Sequence, residues 1–192
     1  MLISFDRVLE YCPNITGIIH VGAHRAEERK DYKNIPTKWV EAHPELFLKL
    51  PVENKYHFAA TDFQGWIRFN ICPFTAASSL LEPNLNANRR KDVYVEEVVI
   101  VPAGKISSIQ EIGYNLINLD IQGAELNALK GTDLSMVDYI YTEVHRVETY
   151  HKCTQVEELD DYLEDFKRVE TAWTKYGWGD AIYIRESLLL PK

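Results

Sequence analysis

The stretch from Gly17 to Glu28, Gly-Ile-Ile-His-Val-Gly-Ala-His-Arg-Ala-Glu-Glu, constrains the fold more than any other. Ile18, Ile19 and Val21 form a short, β-branched, nearly all-apolar run, which suits a strand buried on both faces. Gly22 breaks that run, and Ala23 to Tyr32 is helix-permissive. A glycine at the carboxyl end of a first strand lets backbone approach a ligand closely, and a following helix offers unpaired N–H groups at its start.

The pattern departs from a dinucleotide site in a useful way. A dinucleotide fingerprint needs a second glycine two positions after the first and a third for helix packing. Here those positions hold His24 and Glu27, whose side chains would crowd a pyrophosphate. They suit an adenosine ligand whose other end is an amino acid, and S-adenosylmethionine is such a ligand. Glu41 closes the next apolar stretch, Trp39-Val40, where a carboxylate can accept both ribose hydroxyls; the plain alternative is a solvated glutamate ahead of a helix. A nicotinamide-dependent oxidoreductase is disfavoured by the missing glycines.

The chain has 192 residues, which suits one domain over 1–192 with room for a substantial core. A formal charge of -8 gives no overall basic field, so nucleic acid is not the expected partner. Cys12, Cys72 and Cys153 are far apart and show no metal spacing, which fits a reducing, cytoplasmic setting with inert thiols. Residues 1–13 carry Asp6, Arg7 and Glu10 and do not read as a secretory signal, and no apolar run is long enough for membrane insertion. Oligomeric state is not legible.

The remaining patterns alternate strand and helix. Leu2, Phe5, Val8 and Leu9 recur at helical spacing and are expected to cap one sheet edge. Lys38 to Ala42 reads as a second strand, with Pro44 opening a helix through Leu50. Tyr56 to Ala60 reads as a third, followed by Thr61-Asp62, where Asp62 is either an adenine contact or a turn residue. Trp66 to Ile71 alternates strictly, as a strand with one exposed face does, and Val95 to Val101 is its hairpin-like partner. Between them, Cys72 to Asp92 is a long irregular connection. Leu116 to Ile121 is a fourth buried strand, Gln122-Gly123 turns it into a helix, and Met136 to Val144 is the next strand. Val156 to Phe166 is an amphipathic helix, and Arg168 to Trp173 with Ala181 to Arg185 form a closing hairpin. The result is an α/β fold with a mostly parallel sheet and one reversed strand.

Val21-Gly22-Ala23-His24, Val40-Glu41-Ala42-His43-Pro44, Ser78-Ser79-Leu80, Leu119 to Glu125 with Leu129-Lys130-Gly131, and Glu143-Val144-His145 occur in that order. With these motifs the chain resembles the FkbM family of S-adenosylmethionine-dependent methyltransferases over nearly its whole length. Asp-Ile-Gln-Gly-Ala-Glu followed by Leu-Lys-Gly is the sharpest of them. The resemblance implies a Rossmann-like class I methyltransferase fold, with a seven-stranded sheet, an antiparallel last strand and helices on both faces, to which the residue pattern adds an inserted hairpin with its long loop. It also implies O-methylation of a hydroxyl on a carbohydrate, such as a glycan or deoxyhexose, or on another small molecule. Most members of the family carry an acidic residue where His20 stands and a second glycine where Ala26 stands. His20 is then read as a core histidine.

Cofactor contacts are expected from Gly22, Ala23, His24, Glu27, Glu41, Ala42, Asp62, Ser79 and Asp120. Asp120 and His145 are expected to handle the acceptor proton, with Glu143 positioning the acceptor, because all three stand at strand ends. The same three, Asp120, Glu143 and His145, make an alternative divalent-metal set, Mg²⁺ or Mn²⁺, which is not the favoured reading. Trp173, Tyr176 and Trp178 are expected to edge the acceptor pocket by packing on sugar C–H faces, with Arg89 and Arg90 hydrogen bonding from the loop opposite. The Asn/Asp-Pro-Pro-Tyr segment of amino-methylating enzymes is absent after the fourth strand. A binding module of the same fold without turnover is the competing reading.

Overall fold

The computed structural model describes residues 2–87 and 90–189. In chain order its elements are α1 (Phe5–Tyr11), β1 (Ile18–Val21), α2 (Arg29–Tyr32), β2 (Thr37–Glu41), α3 (Pro44–Lys49), β3 (Lys55–His57), β4 (Ala59–Ala60), β5 (Gly65–Ile71), β6 (Glu97–Gly104), β7 (Leu116–Leu119), α4 (Glu125–Lys130), β8 (Tyr139–His145), α5 (Val156–Tyr162), β9 (Phe166–Trp173) and β10 (Trp178–Arg185). Seven strands form the main sheet in the order β3-β2-β1-β7-β8-β10-β9. β3, β2, β1, β7 and β8 run parallel, and β10 is antiparallel to both of its neighbours, β8 and β9.

Side-chain alternation divides the core into two faces. Ile19 and Val21, Ile117 and Leu119, Ile140, and Tyr183 point to one face, where Ala128 and Leu129 of α4 and Val156 and Leu159 of α5 cover them. Ile18, Leu116, Tyr139, Tyr141 and Ile182 point to the other, under Phe5 and Val8 of α1 and Tyr32 of α2. The central strands β1 and β7 are buried along their whole length, which is why they lack the polar alternation of a one-sided strand. The first helix therefore covers a sheet face, not the edge expected from its sequence.

Several boundaries also differ from the sequence reading, β6 and β10 among them, and three differences have a structural cause. The helix expected from Ala23 shrinks to four residues at Arg29–Tyr32, because His24 (φ 47°) and Ala26 (φ 55°) take left-handed backbone that no α-helix contains. The third strand divides: Lys55–His57 stays on β2, while Ala59–Ala60 pairs parallel with Ala103–Gly104 of the inserted strand β6. The helix expected to reach Phe166 stops at Tyr162, and Phe166 opens β9. The inserted pair behaves as expected, with β5 antiparallel to β6 and Phe69 on the buried side. The three cysteines are buried and unpaired, and no helix among the described residues is long and apolar enough to cross a membrane.

His20 sits inside the α1 face, only 1% exposed. Its Nδ1 lies 2.7 Å from the Tyr32 hydroxyl, and its ring stacks on Trp39 at 5.0 Å. Burial lowers its pKa from 6.5 to about 4. Folding thus favours the neutral ring, so the stability His20 contributes is complete above pH 6.5 and is lost as pH falls toward 4. NMR of the imidazole should find His20 neutral at pH 5.5; a midpoint near the ordinary histidine value would contradict this placement.

Candidate active site

The turns that follow the parallel strands meet at the carboxyl end of the sheet, the usual ligand position in open α/β folds. Gly22 occupies the tightest point. At φ 88° it takes a conformation that favours glycine, and a Cβ there would collide with the Asp120 carbonyl of the neighbouring turn. The Gly22 and Ala23 N–H groups both donate to the Val40 carbonyl, at 3.0 Å each, so they brace the turn against β2. They do not present free donors, contrary to the helix-start expectation.

Glu41, at the end of β2, ties two turns together. One carboxylate oxygen accepts the His24 N–H at 2.6 Å and the other accepts the His43 N–H at 2.7 Å. Burial pushes its carboxyl up to about 7 against these backbone donors. A carboxylate has about four acceptor sites, so two remain. The His24 ring then reaches outward, its Nδ1 3.0 Å from Glu27 and its Nε2 3.0 Å from the Thr75 hydroxyl in the connection between β5 and β6.

Between these turns lies a pocket enclosing about 550 Å³ of empty space, its mouth included. Gly22, His24, Glu41, Ala42 and Asp120 line it, together with Phe58 to Ala60, Thr75, Ser78, Leu80 and Gln122. Carboxylates at two strand ends and an apolar wall from Phe58 to Ala60 make a chamber with one polar and one apolar end. Such a chamber fits S-adenosylmethionine: Glu41 retains acceptor capacity for ribose hydroxyls, and the apolar wall suits a purine.

Behind the pocket, Gln122 organises a set of buried acids. Its backbone is left-handed (φ 59°), a conformation costing a side chain about 1–3 kcal/mol. Its side chain offsets that cost. Nε2 donates to Asp120 at 2.7 Å and to Glu143 at 2.8 Å, and Oε1 accepts the Tyr150 hydroxyl at 2.8 Å. Ser79 donates to the Gln122 carbonyl at 2.9 Å from the other side. Burial raises the Asp120 carboxyl, and burial together with the nearby Asp120 and Glu125 charges raises that of Glu143 well above the ordinary range. His145 ends β8 with Nδ1 2.8 Å from the Thr149 hydroxyl and Nε2 3.9 Å from Glu143. Glu125, fully buried at the start of α4, accepts the Gly123 N–H at 3.0 Å.

The structure therefore brings Asp120, Glu143 and His145 to one end of the sheet, with Asp120 in the pocket wall and the other two behind Gln122. Glu125, Gln122 and Tyr150 join them and were not singled out as site residues in the sequence, although Gln122 and Glu125 both lie inside the Asp-Ile-Gln-Gly-Ala-Glu motif. Ala23 is buried under α1, Glu27 supports His24 from outside, and Ser79 is buried as a brace between Ser78 and Leu80. Asp62 is exposed and outside the pocket wall. Trp178 pairs with His145 across β10 and β8, so the hairpin turn carrying Tyr176 is at the same end of the sheet. Trp173 packs on the core with Arg146 over its ring at 5.0 Å. Arg90 pairs with Asp92 and stacks on Phe74; Arg89 lies outside the described residues.

A mostly parallel sheet with one reversed strand inserted near its edge, and a pocket where the turns after β1, β2 and β7 meet, is the class I methyltransferase architecture. A model of the methyltransferase FkbM domain matches residues 20–169, and the chain belongs to that family, whose cofactor is S-adenosylmethionine. Among solved structures it is similar to magnesium protoporphyrin IX methyltransferase from Synechocystis PCC 6803. The form with bound SAM is 10% identical, with 94% of this chain and 77% of that chain covered and a TM-score of 0.48. The form with bound SAH is 9% identical, with 95% and 81% covered and a TM-score of 0.49. No curated protein matches the chain.

The Gln122 bridge can be tested by denaturation. Gln122→Ala should lose about 1.5–3 kcal/mol, the usual worth of a hydrogen bond to a charged group. Gln122→Gly should lose less, because it relieves the left-handed backbone while removing the same amide. Wild-type stability in both variants would show that the bridge contributes nothing.

Proposed function

We propose that this protein is an S-adenosylmethionine-dependent O-methyltransferase whose acceptor is a hydroxyl of a carbohydrate. The observation that carries the reading is the convergence of Gly22, Glu41 and Asp120 on one pocket in a chain of the FkbM family. S-adenosylmethionine supplies a methyl group on a sulfonium, which makes it an electrophile. Gly22 keeps the floor of the cradle open, His24 and Ala42 flank it, and Glu41 accepts hydrogen bonds from the ribose hydroxyls. The Phe58 to Ala60 wall takes the purine.

Asp120 is the residue we assign to the acceptor proton. It lines the pocket at the end of a central strand, and burial raises its carboxyl, which makes it a stronger base than an ordinary aspartate. Glu143 acts on it through the shared Gln122 amide, and His145 stands behind Glu143 at 3.9 Å. The acceptor is assigned to the side of the hairpin turn, where Tyr176 is 45% exposed and Trp178 stands opposite the end of β8. Aromatic faces there suit the C–H faces of a sugar ring, and Arg90 is the hydrogen-bonding candidate from the long connection. The absence of a planar-amine motif after β7 and the charge of -8 favour a neutral hydroxyl acceptor over an amine or a nucleic acid.

Two variants test the assignment. Glu41→Ala should weaken S-adenosylmethionine by about 10–150-fold in calorimetry, the equivalent of losing a hydrogen bond to a charged acceptor; unchanged affinity would remove Glu41 from the site. Asp120→Asn should lower kcat by about 10²–10⁴-fold with cofactor affinity retained. The assay is mass spectrometry of a glycan panel after incubation with labelled cofactor. Near-normal turnover in Asp120→Asn would exclude it as the base, and transfer only to non-sugar hydroxyls would overturn the carbohydrate assignment.

A further inference from the structure

Behind the pocket wall, two buried side chains each leave one polar atom with nothing to bond. Glu125 is fully buried; its Oε1 accepts the Gly123 and Ile121 N–H groups, but its Oε2 has no hydrogen-bond partner. His145 is 1% exposed; its Nδ1 is occupied by Thr149, but its Nε2 has none either. Unpaired buried atoms of this kind are rare and call for an explanation. Here the two residues that carry them stand together with Glu143. One ligand-capable atom from each of Glu125, Glu143 and His145 lies within 4.8 Å of the other two.

We propose that Glu125, Glu143 and His145 form a binding site for one divalent transition cation, Mn²⁺ or Zn²⁺, set directly behind the pocket wall. The donor set is two carboxylates and one imidazole, so with both carboxylates ionised the ligands neutralise a divalent ion, which can then be held away from water. The imidazole selects against Mg²⁺ and Ca²⁺, which take oxygen donors. His145 is prepared for the role by Thr149: an Nδ1–H donated to that hydroxyl leaves the Nε2 lone pair directed at the cluster, the outer-shell arrangement that orients ligating histidines. Glu143 and His145 are two apart on β8 and so share a face, while Glu125 arrives from the first turn of α4. Donors about 2.1 Å from a tetrahedral ion stand about 3.4 Å from one another, so a separation as wide as 4.8 Å closes by about 1.4 Å when the ion binds. This set differs from the one read in the sequence, because Asp120 turns to Gln122 and the pocket while Glu125 takes the third position. A bound cation fixes Glu143, and through the shared Gln122 amide it fixes Asp120, so the ion is a positioning element for the acid in the pocket wall.

The competing explanation is an ordered water that bridges the two orphaned atoms. The test uses the full chain, stripped with chelator and dialysed, then titrated separately with Mn²⁺, Zn²⁺ and Mg²⁺ by calorimetry. Wild type should bind one Mn²⁺ or Zn²⁺ per chain and Mg²⁺ at least about tenfold more weakly. Pulsed EPR of the Mn²⁺ form should detect hyperfine coupling to an imidazole nitrogen. Glu125→Gln and His145→Gln should each weaken the cation by about 10-fold or more, and His145→Gln should abolish the nitrogen coupling. S-adenosylmethionine binding by the stripped protein should persist, which separates failure of this proposal from failure of the methyltransferase reading. Three results would overturn it: no stoichiometric uptake by wild type, which leaves water as the occupant; Mn²⁺ bound without nitrogen coupling; or wild-type affinity in both variants, which puts the ion elsewhere. The EPR result on wild type decides the matter even if a variant fails to fold.

Discussion

The architecture depends on one close approach, that of the turn after β1 to the turn after β7. These are the two central strands, hydrogen bonded in register from Ile18↔Leu116 to Val21↔Leu119. Their turns must separate to admit a ligand, yet they begin a backbone's width apart. Gly22 makes this possible because it has no Cβ to meet the Asp120 carbonyl. Everything that lines the pocket is then hung from those two turns: Glu41 holds the His24 amide, His24 reaches Thr75, and Ser79 grips the Ile121 and Gln122 carbonyls.

Around that approach the protein concentrates charge where burial makes charge expensive. Glu41, Asp120, Glu125 and Glu143 are all carboxyls raised by desolvation, and His145 is an imidazole lowered by it to about 4. A core selected only for stability would fill this volume with apolar side chains. The donors that make it tolerable are few: two backbone amides on Glu41, two on Glu125, and the single Gln122 amide shared by Asp120 and Glu143. Perturbed acids gathered beside a pocket are a common mark of chemistry.

Much of the fold was legible because its signals are local. The all-apolar runs at Ile18–Val21 and Leu116–Leu119, the strict alternation from Trp66 to Ile71, and Pro44 at a helix start each need only neighbouring residues to be understood. Misjudged boundaries came from tertiary partners. Ala59–Ala60 leaves its strand for β6, more than forty residues away, and the left-handed His24 and Ala26 replace a helix that composition permits. The site followed the same division. Gly22, Glu41 and Asp120 stand at strand ends and could be found by position. Glu125 was hidden because a glutamate in a first helical turn is ordinarily a solvated partner of the helix dipole, and only the packing of α4 against β8 reveals that this one is sealed inside.

The order of strands has a consequence for how the chain is made. β10 lies between β8 and β9 and exchanges hydrogen bonds with both, although among the described residues it is the last strand to be synthesised. On the ribosome, β9 therefore has no sheet to join when it emerges, and the aromatic and branched residues of residues 166–173 wait unpaired. Completion comes only when residues 178–185 slot between two strands already present. A nascent chain halted before that point would carry two open strand edges, and these are the surfaces that molecular chaperones and aggregation compete for.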